Sequence, residues 1–378
     1  IHIPNNYTSE LMEHARLVFI DNLKILLAVN VIFLHAGQPY GPGGDWFISQ
    51  PTAVPLINII IIGLFFGLSA SYFMGLFFFI SAYFLPGSFD RKGAARFLND
   101  RLIRLGIPLL ACVMTILPVL SYVFYNPSAV PFVEYYWAFF SLRQFGFGYL
   151  WFVVLLIAIA LVYAAIRPLH PAVPVIALPK KSGIIAAALL LGASSFVIRS
   201  WFPVNTWVLF HGFEPAHLPQ YLLLSAAGIL AYRNNWLKTL PSSLARFSGG
   251  VLALGIILLF PLFLVFGDGI AMGGLTLANA CYSFWEAFVG ISICICLAVF
   301  FRDRISASGT VGSVLAKNVF PVYLIHLPVV VALQWVLIPF EVPSLVKFFL
   351  VGTAGVVCCF GISNYIVRKI PYAERVIF

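Results

Sequence analysis

Apolar residues in this chain fall into long unbroken runs, without the strict alternation of a half-buried strand or the polar face of a soluble helix. Ten runs stand out, at about residues 18–36, 56–85, 105–125, 149–167, 183–201, 218–232, 248–266, 275–300, 318–338 and 343–367. At about 1.5 Å of rise per residue, runs of this length match the roughly 30 Å hydrocarbon layer of a bilayer. The second run is longer than a bilayer needs. The small residues Gly67 to Ser71 at its middle predict a strong tilt, a break or a re-entrant piece there. The expected fold is all-α: a polytopic transmembrane helix bundle of about ten spans in one membrane domain. Residues 1–15 form a cytoplasmic segment, 16–367 the membrane core and 368–378 a cytoplasmic tail.

Composition removes the soluble alternatives. With 62% hydrophobic residues and 9% charged over 378 positions, no water-facing surface can be assembled around the apolar content. The first 14 residues lack a basic stretch followed by an apolar core and a small-residue cleavage site, so the first span is expected to act as its own insertion signal. Six cysteines lie within the predicted spans with no metal-ligand spacing, and read as small apolar fillers. No metal is expected.

Charge sets the orientation. If the N-terminus lies inside, then of 22 Lys and Arg residues only Arg143, Arg199 and Lys347 fall on the outer side. Segments rich in Lys and Arg stay in the cytoplasm, so both termini are predicted to be cytoplasmic. The net charge of +9 is thereby accounted for, and no nucleic-acid partner is implied. The expected location is a bacterial cytoplasmic membrane, with lipids as neighbours.

Against this apolar background the polar positions carry the information. On the first span Asp21, Lys24 and His35 fall within about 60° of one another, so one acid, one base and one imidazole share a face. Lys24 and His35 are separated by roughly 16 Å along the axis, which puts Lys24 near one water boundary and His35 deep inside or toward the far side. Asp21 stands at i,i+3 to Lys24 and can neutralise it. After the second span, Arg91, Lys92, Arg96, Arg101 and Arg104 form a basic segment; Arg101 and Arg104 are spaced to share a helical face, and guanidinium forks suit phosphate oxygens. A cluster that merely holds lipid headgroups has the same look. Glu286 sits mid-span, where a carboxylate must be protonated, paired or in contact with water. His326 shares a face with Tyr323. Aromatics from Phe132 to Trp151 read either as an interfacial belt or as a platform for sugar rings, and the loop 201–217 adds Trp207, His211, Glu214 and His217 as a polar rim.

Several of these residues carry a resemblance. Lys24, ten residues and His35 resemble the basic-x10-His signature of the membrane acyltransferase 3 family, part of a wider transmembrane acyltransferase superfamily. Arg101-x-x-Arg104 resembles its second signature. Softer matches are Phe77 to Phe84 leading into the basic loop, Leu150-Trp151-Phe152, and Tyr323 to His326. Two departures stand out: Lys24 occupies a position where many members carry Arg, losing the bidentate fork, and Ala82 one where Gly is common.

The resemblance implies an integral membrane O-acyltransferase that moves an acetyl- or succinyl-type group from cytoplasmic acyl-CoA to a hydroxyl of a glycan, lipid-linked sugar or small molecule. His35 is then the catalytic candidate, either as general base or as a nucleophile forming an acyl-imidazole. Lys24, Arg91, Arg101, Arg104 and His326 are assigned to the acyl-CoA path, Trp151, Glu286 and His211 to the acceptor, and Asp21 and Tyr323 to support. The competing class is a solute or lipid transporter, for which inverted repeats and paired broken helices are expected; neither is visible in the chain.

Overall fold

The computed structural model describes residues 17–42, 46–48, 55–125, 129–141, 145–170 and 175–377. It is helical throughout: α1 (Val18–Gly37), α2 (Leu56–Tyr83), α3 (Leu85–Arg101), a π turn (Leu102–Gly106), α4 (Ile107–Met114), α5 (Ile116–Tyr125), α6 (Phe132–Phe139), α7 (Trp151–Ile166), α8 (Lys181–Trp201), α9 (Leu218–Arg233), α10 (Ser242–Phe266), α11 (Leu277–Arg304), α12 (Thr310–Val336) and α13 (Ser344–Tyr365). In a bilayer every backbone polar group has to be satisfied within the protein, which restricts apolar runs like these to helices.

Among the described residues, nine helical stretches are long and apolar enough to cross a membrane. The run at 218–232 falls short of that length: α9 has 16 residues, about 24 Å. It packs chiefly along α2. The second run departs from expectation in another way, because α2 is one continuous helix of 28 residues with no break or re-entrant turn at Gly67–Ser71. Those small residues serve contact instead. The Ser71 hydroxyl donates to Leu68 O at 2.7 Å and that of Ser69 to Asn30 Oδ1 at 3.3 Å. A Cβ on Gly290 of α11 would stand 1.9 Å from Ser71 O, and one on Gly228 of α9 2.3 Å from Phe79 O. Glycine at those two points lets α11 and α9 lie against the α2 backbone, the usual means of close helix approach in membranes.

The third run is broken where its prolines require it. Pro108 offers no N–H to Arg104 O, and the chain widens into the π turn directly before it. Pro118 offers none to Met114 O, and the helix breaks at Thr115. Tyr136 Oη donates to the carbonyl of Met114 at 3.1 Å, and Thr115 Oγ1 to Ala111 O at 2.6 Å. The basic segment is likewise two short helical pieces, since Gly93 takes φ 71° inside α3.

α1 lies at the centre, against α2, α11, α12 and α13. Leu27 and Ile32 on it are completely buried. α10, by contrast, exposes Ile257, Leu264 and Val265 on its outer face.

Candidate active site

α1 runs unbroken from Lys24 to His35, so the predicted separation of roughly 16 Å along its axis holds. His35 occupies the last turn, where helix carbonyls lack partners of their own. Gln334, from the last turn of α12, donates from Nε2 to His35 O at 2.8 Å and to Ala36 O at 3.3 Å. Trp46 Nε1 donates in turn to Gln334 Oε1 at 2.9 Å. The Trp46 ring stacks with the His35 imidazole, 5.3 Å between centroids and 14° between planes. His35 therefore faces protein rather than hydrocarbon, and the residue as a whole is half-buried.

Behind it lies His326, with no exposed surface, its ring 5.0 Å from that of His35 and inclined by 25°. His326 Nδ1 is 2.5 Å from Tyr323 O. A carbonyl only accepts, so Nδ1 carries the hydrogen and Nε2 holds the lone pair. Neither that Nε2 nor His35 Nδ1 has a hydrogen-bond partner among the described residues. Pro328 explains how the ring is held. Lacking an N–H, it cannot bond Leu324 O one turn back, and the Tyr149 hydroxyl donates to that carbonyl instead, at 2.6 Å. The Tyr323 hydroxyl donates to Tyr149 O, and the Tyr149 ring meets His326 edge-on at 5.4 Å.

At the other end of α1, Lys24 is 3.3 Å from Asp21 and lies over the Phe84 ring at 4.9 Å. Asn22 pins this end to the loop after α11 through Ile305 O and Ala307 O, at 2.8 and 3.0 Å. Arg101 rests on Phe97 at 5.4 Å, while Arg104 and Arg91 are exposed. No carboxylate lies within 4.0 Å of these three guanidiniums among the described residues. Lys92, by contrast, is paired with Asp100, and Arg167 and Arg233 with Asp90.

The acceptor candidates separate into two groups. Glu286 is paired with Arg199, which is buried on α8 and also donates to Ala216 O at 3.1 Å. His217 Nε2 lies 3.3 Å from Glu286, and its Nδ1 3.0 Å from Glu214, which accepts from the Asn205 amide at 2.6 Å. Four charged or ionisable groups thus share one enclosed cluster. Burial opposes a charge on His217, but the flanking carboxylates overcome it and push its pKa up to about 9. Burial likewise works against an ionised Glu214, whose pKa is nonetheless lowered by His217 and the Asn205 amide. Trp151 stacks with Tyr221 at 5.4 Å and meets Trp207 at 6.0 Å; His211, exposed, stacks with Trp207 at 6.2 Å. Leu209, Phe210 and His211 all take positive φ, between 49° and 59°, which costs of order 1–3 kcal/mol each and marks this loop as held in place by its surroundings.

Sequence reasoning passed over Trp46 and Gln334 and gave Arg199 no partner. A lone amide in the apolar end of a span was the available signal for Gln334; for the ion pair it was two opposite charges on separate predicted spans.

Helices that cross a membrane around a pair of facing imidazoles, with Lys24 at the opposite end of the same central helix, define a multi-pass membrane protein with the makings of an internal reaction centre. The model of the acyltransferase 3 family, described as an acyltransferase domain, matches residues 17–364. The chain belongs to that family and is an integral membrane acyltransferase. No curated protein and no solved structure matches it significantly.

Proposed function

We propose that the enzyme takes an acetyl- or succinyl-type group from acyl-CoA on the Lys24 side and transfers it to a hydroxyl of a glycan, lipid-linked sugar or small molecule on the His35 side. The observation that carries this reading is the half-buried His35 backed by His326, at one end of a helix whose other end carries Lys24.

His35 acts as general base. As the acceptor oxygen bonds to the thioester carbon, its proton passes to the imidazole; the carbon–sulfur bond breaks and the thiolate leaves, taking that proton to become the thiol of CoA. Two imidazolium charges 5.0 Å apart within an apolar shell repel, so the pair holds one extra proton at most. His326 keeps the His35 ring aligned, with its own tautomer fixed by Tyr323 O. Arg101 and Arg104, with Arg91 beside them, hold the CoA phosphates, and Lys24 stands along the path of the pantetheine arm. Trp151, Trp207 and His211 offer ring faces to a sugar. The donor side is the cytoplasm of a bacterial cell, a reading supported by the basic residues between the spans.

The test is acyl-CoA turnover by the purified protein. Thiol release is expected from the wild type and is lost in His35→Ala at normal expression. Equal thiol release by the two proteins rejects the reading.

A further inference from the structure

A second site lies at the mouth of a cleft whose lining includes neither His35 nor His326. The cleft has a volume of about 740 Å³, and Ile57, Asn58, Phe340, Ser344, Val346 and Lys347 are among the residues around it. Three features there are positive. Lys347 is 4% exposed, and its ammonium has no hydrogen bond or ion pair among the described residues. Pro343 precedes α13 and Pro55 precedes α2 as their capping residues, and neither start has a side-chain cap. The first-turn bonds that exist run from Val346 and Lys347 to Pro343 O and from Asn58 and Ile59 to Pro55 O. The amides of Ile57, Ser344 and Leu345 are thus left at the cleft with no acceptor in their own helices. A cation in the first turn of a helix opposes the macrodipole, so Lys347 is placed where it costs stability unless an anion joins it.

The surroundings identify which anion. Ile57 and Phe340, which line the cleft, are 53% and 54% exposed, and Leu56, Phe349 and Leu350 on the two membrane-crossing helices that begin there are between 49% and 70% exposed. Glu341, exposed at the rim, forms no ion pair with Lys347. We propose that this cleft holds the phosphate headgroup of an anionic membrane lipid, seated between Lys347 and the uncapped starts of α2 and α13, with its chain along the apolar wall of Ile57 and Phe340. A cation and two helix N-termini suit one phosphate, and the apolar wall suits the chain it carries. The site is independent of the acyl-transfer reading, since nothing in it touches His35.

The experiment is native mass spectrometry of the full chain released from bilayers of equal phosphatidylglycerol and phosphatidylcholine. Wild type is expected to retain phosphatidylglycerol about tenfold over phosphatidylcholine, and Lys347→Met to lose that preference. Ser344→Asp, which keeps the lysine but supplies a carboxylate at the helix start, is expected to lose it as well while melting no lower than wild type, which guards against a folding defect in the first variant. Acyl-CoA hydrolysis stays unchanged in both. Undiminished phosphatidylglycerol retention in the two variants overturns the proposal. So does its release from wild type by excess inorganic phosphate, which marks a site for a soluble anion.

Discussion

The rings of His35 and His326 lie 5.0 Å apart and 25° from parallel, one half-buried and the other fully enclosed. His35 is partly exposed and His326 is not, so the two positions are expected to differ in what their loss does. His35→Ala is expected to lower acyl transfer by roughly 10²–10⁴, the usual worth of a positioned base. His326→Asn, whose amide can still donate to Tyr323 O, is expected to lower turnover less and to shift the pH profile of kcat. Steady-state kinetics between pH 5 and 9 (the range over which imidazole titrates, roughly) separate the two. Equal losses with unshifted profiles would contradict this division of roles.

Tyr149 is held to the α12 backbone by a carbonyl that Pro328 leaves free. Tyr149→Phe strands Leu324 O in an apolar interior and is expected to cost about 1–3 kcal/mol. Adding Pro328→Ala restores a backbone donor to the same carbonyl. The double variant should therefore melt above Tyr149→Phe alone, and a thermal melt in detergent reads the difference. If the second change gives no recovery, the hydroxyl's main duty lies elsewhere.

The cluster around His217 predicts a pH effect with a definite sign. Its folded pKa, about 9, exceeds the ordinary value of 6.5, so the protonated form stabilises the fold. That stabilisation, on the order of 3 kcal/mol, is complete below about pH 6.5 and disappears as pH rises through about 9. Melting temperature should fall between about pH 6.5 and pH 9 in wild type, and His217→Gln should flatten that fall while melting lower at pH 6.5. A wild-type melting temperature unchanged over that interval would show His217 to be neutral.

How far the chain could be read without coordinates depended on what kind of interaction fixed each part. Apolar runs gave the helices directly, because a bilayer leaves backbone amides no other partner. Gly67 to Ser71 misled for a physical reason: small residues in a span signal either a break or a close neighbour, and only Asn30 and Gly290, distant in sequence, decide for the neighbour. Lys24 and His35 were legible because both lie on one helix, whose geometry is fixed. Gln334 and Trp46 reach His35 from separate segments, and nothing local predicts that meeting. Glu286 was recognisable as costly; that Arg199 compensates it required the packing of α8 on α11.

That compensation can be measured. Arg199 and Glu286 are 1% and 3% exposed, so removing either strands a charge, expected to cost about 3–5 kcal/mol. Arg199→Met with Glu286→Leu removes both. The double variant is expected to melt higher than either single one, in a double-mutant cycle read by thermal unfolding. Strict additivity would show the pair uncoupled.

Arg101 and Arg104 offer a test that separates donor binding from chemistry. Among the described residues neither has a carboxylate within 4.0 Å. A hydrogen bond to a charged group is worth about 1.5–3 kcal/mol where water is excluded, and less for the exposed Arg104. Replacing both by Gln is therefore expected to raise KM for acyl-CoA roughly tenfold to a hundredfold, with kcat nearly unchanged because His35 is untouched. Added salt should raise the wild-type KM and have little effect on the variant. Acyl-pantetheine supplies the control: it keeps the thioester and the slim arm but carries no phosphate, so wild type and variant should turn it over with the same kcat/KM. A variant equally impaired on acyl-pantetheine would mean that the two arginines shape the helix start at the π turn instead of gripping the donor.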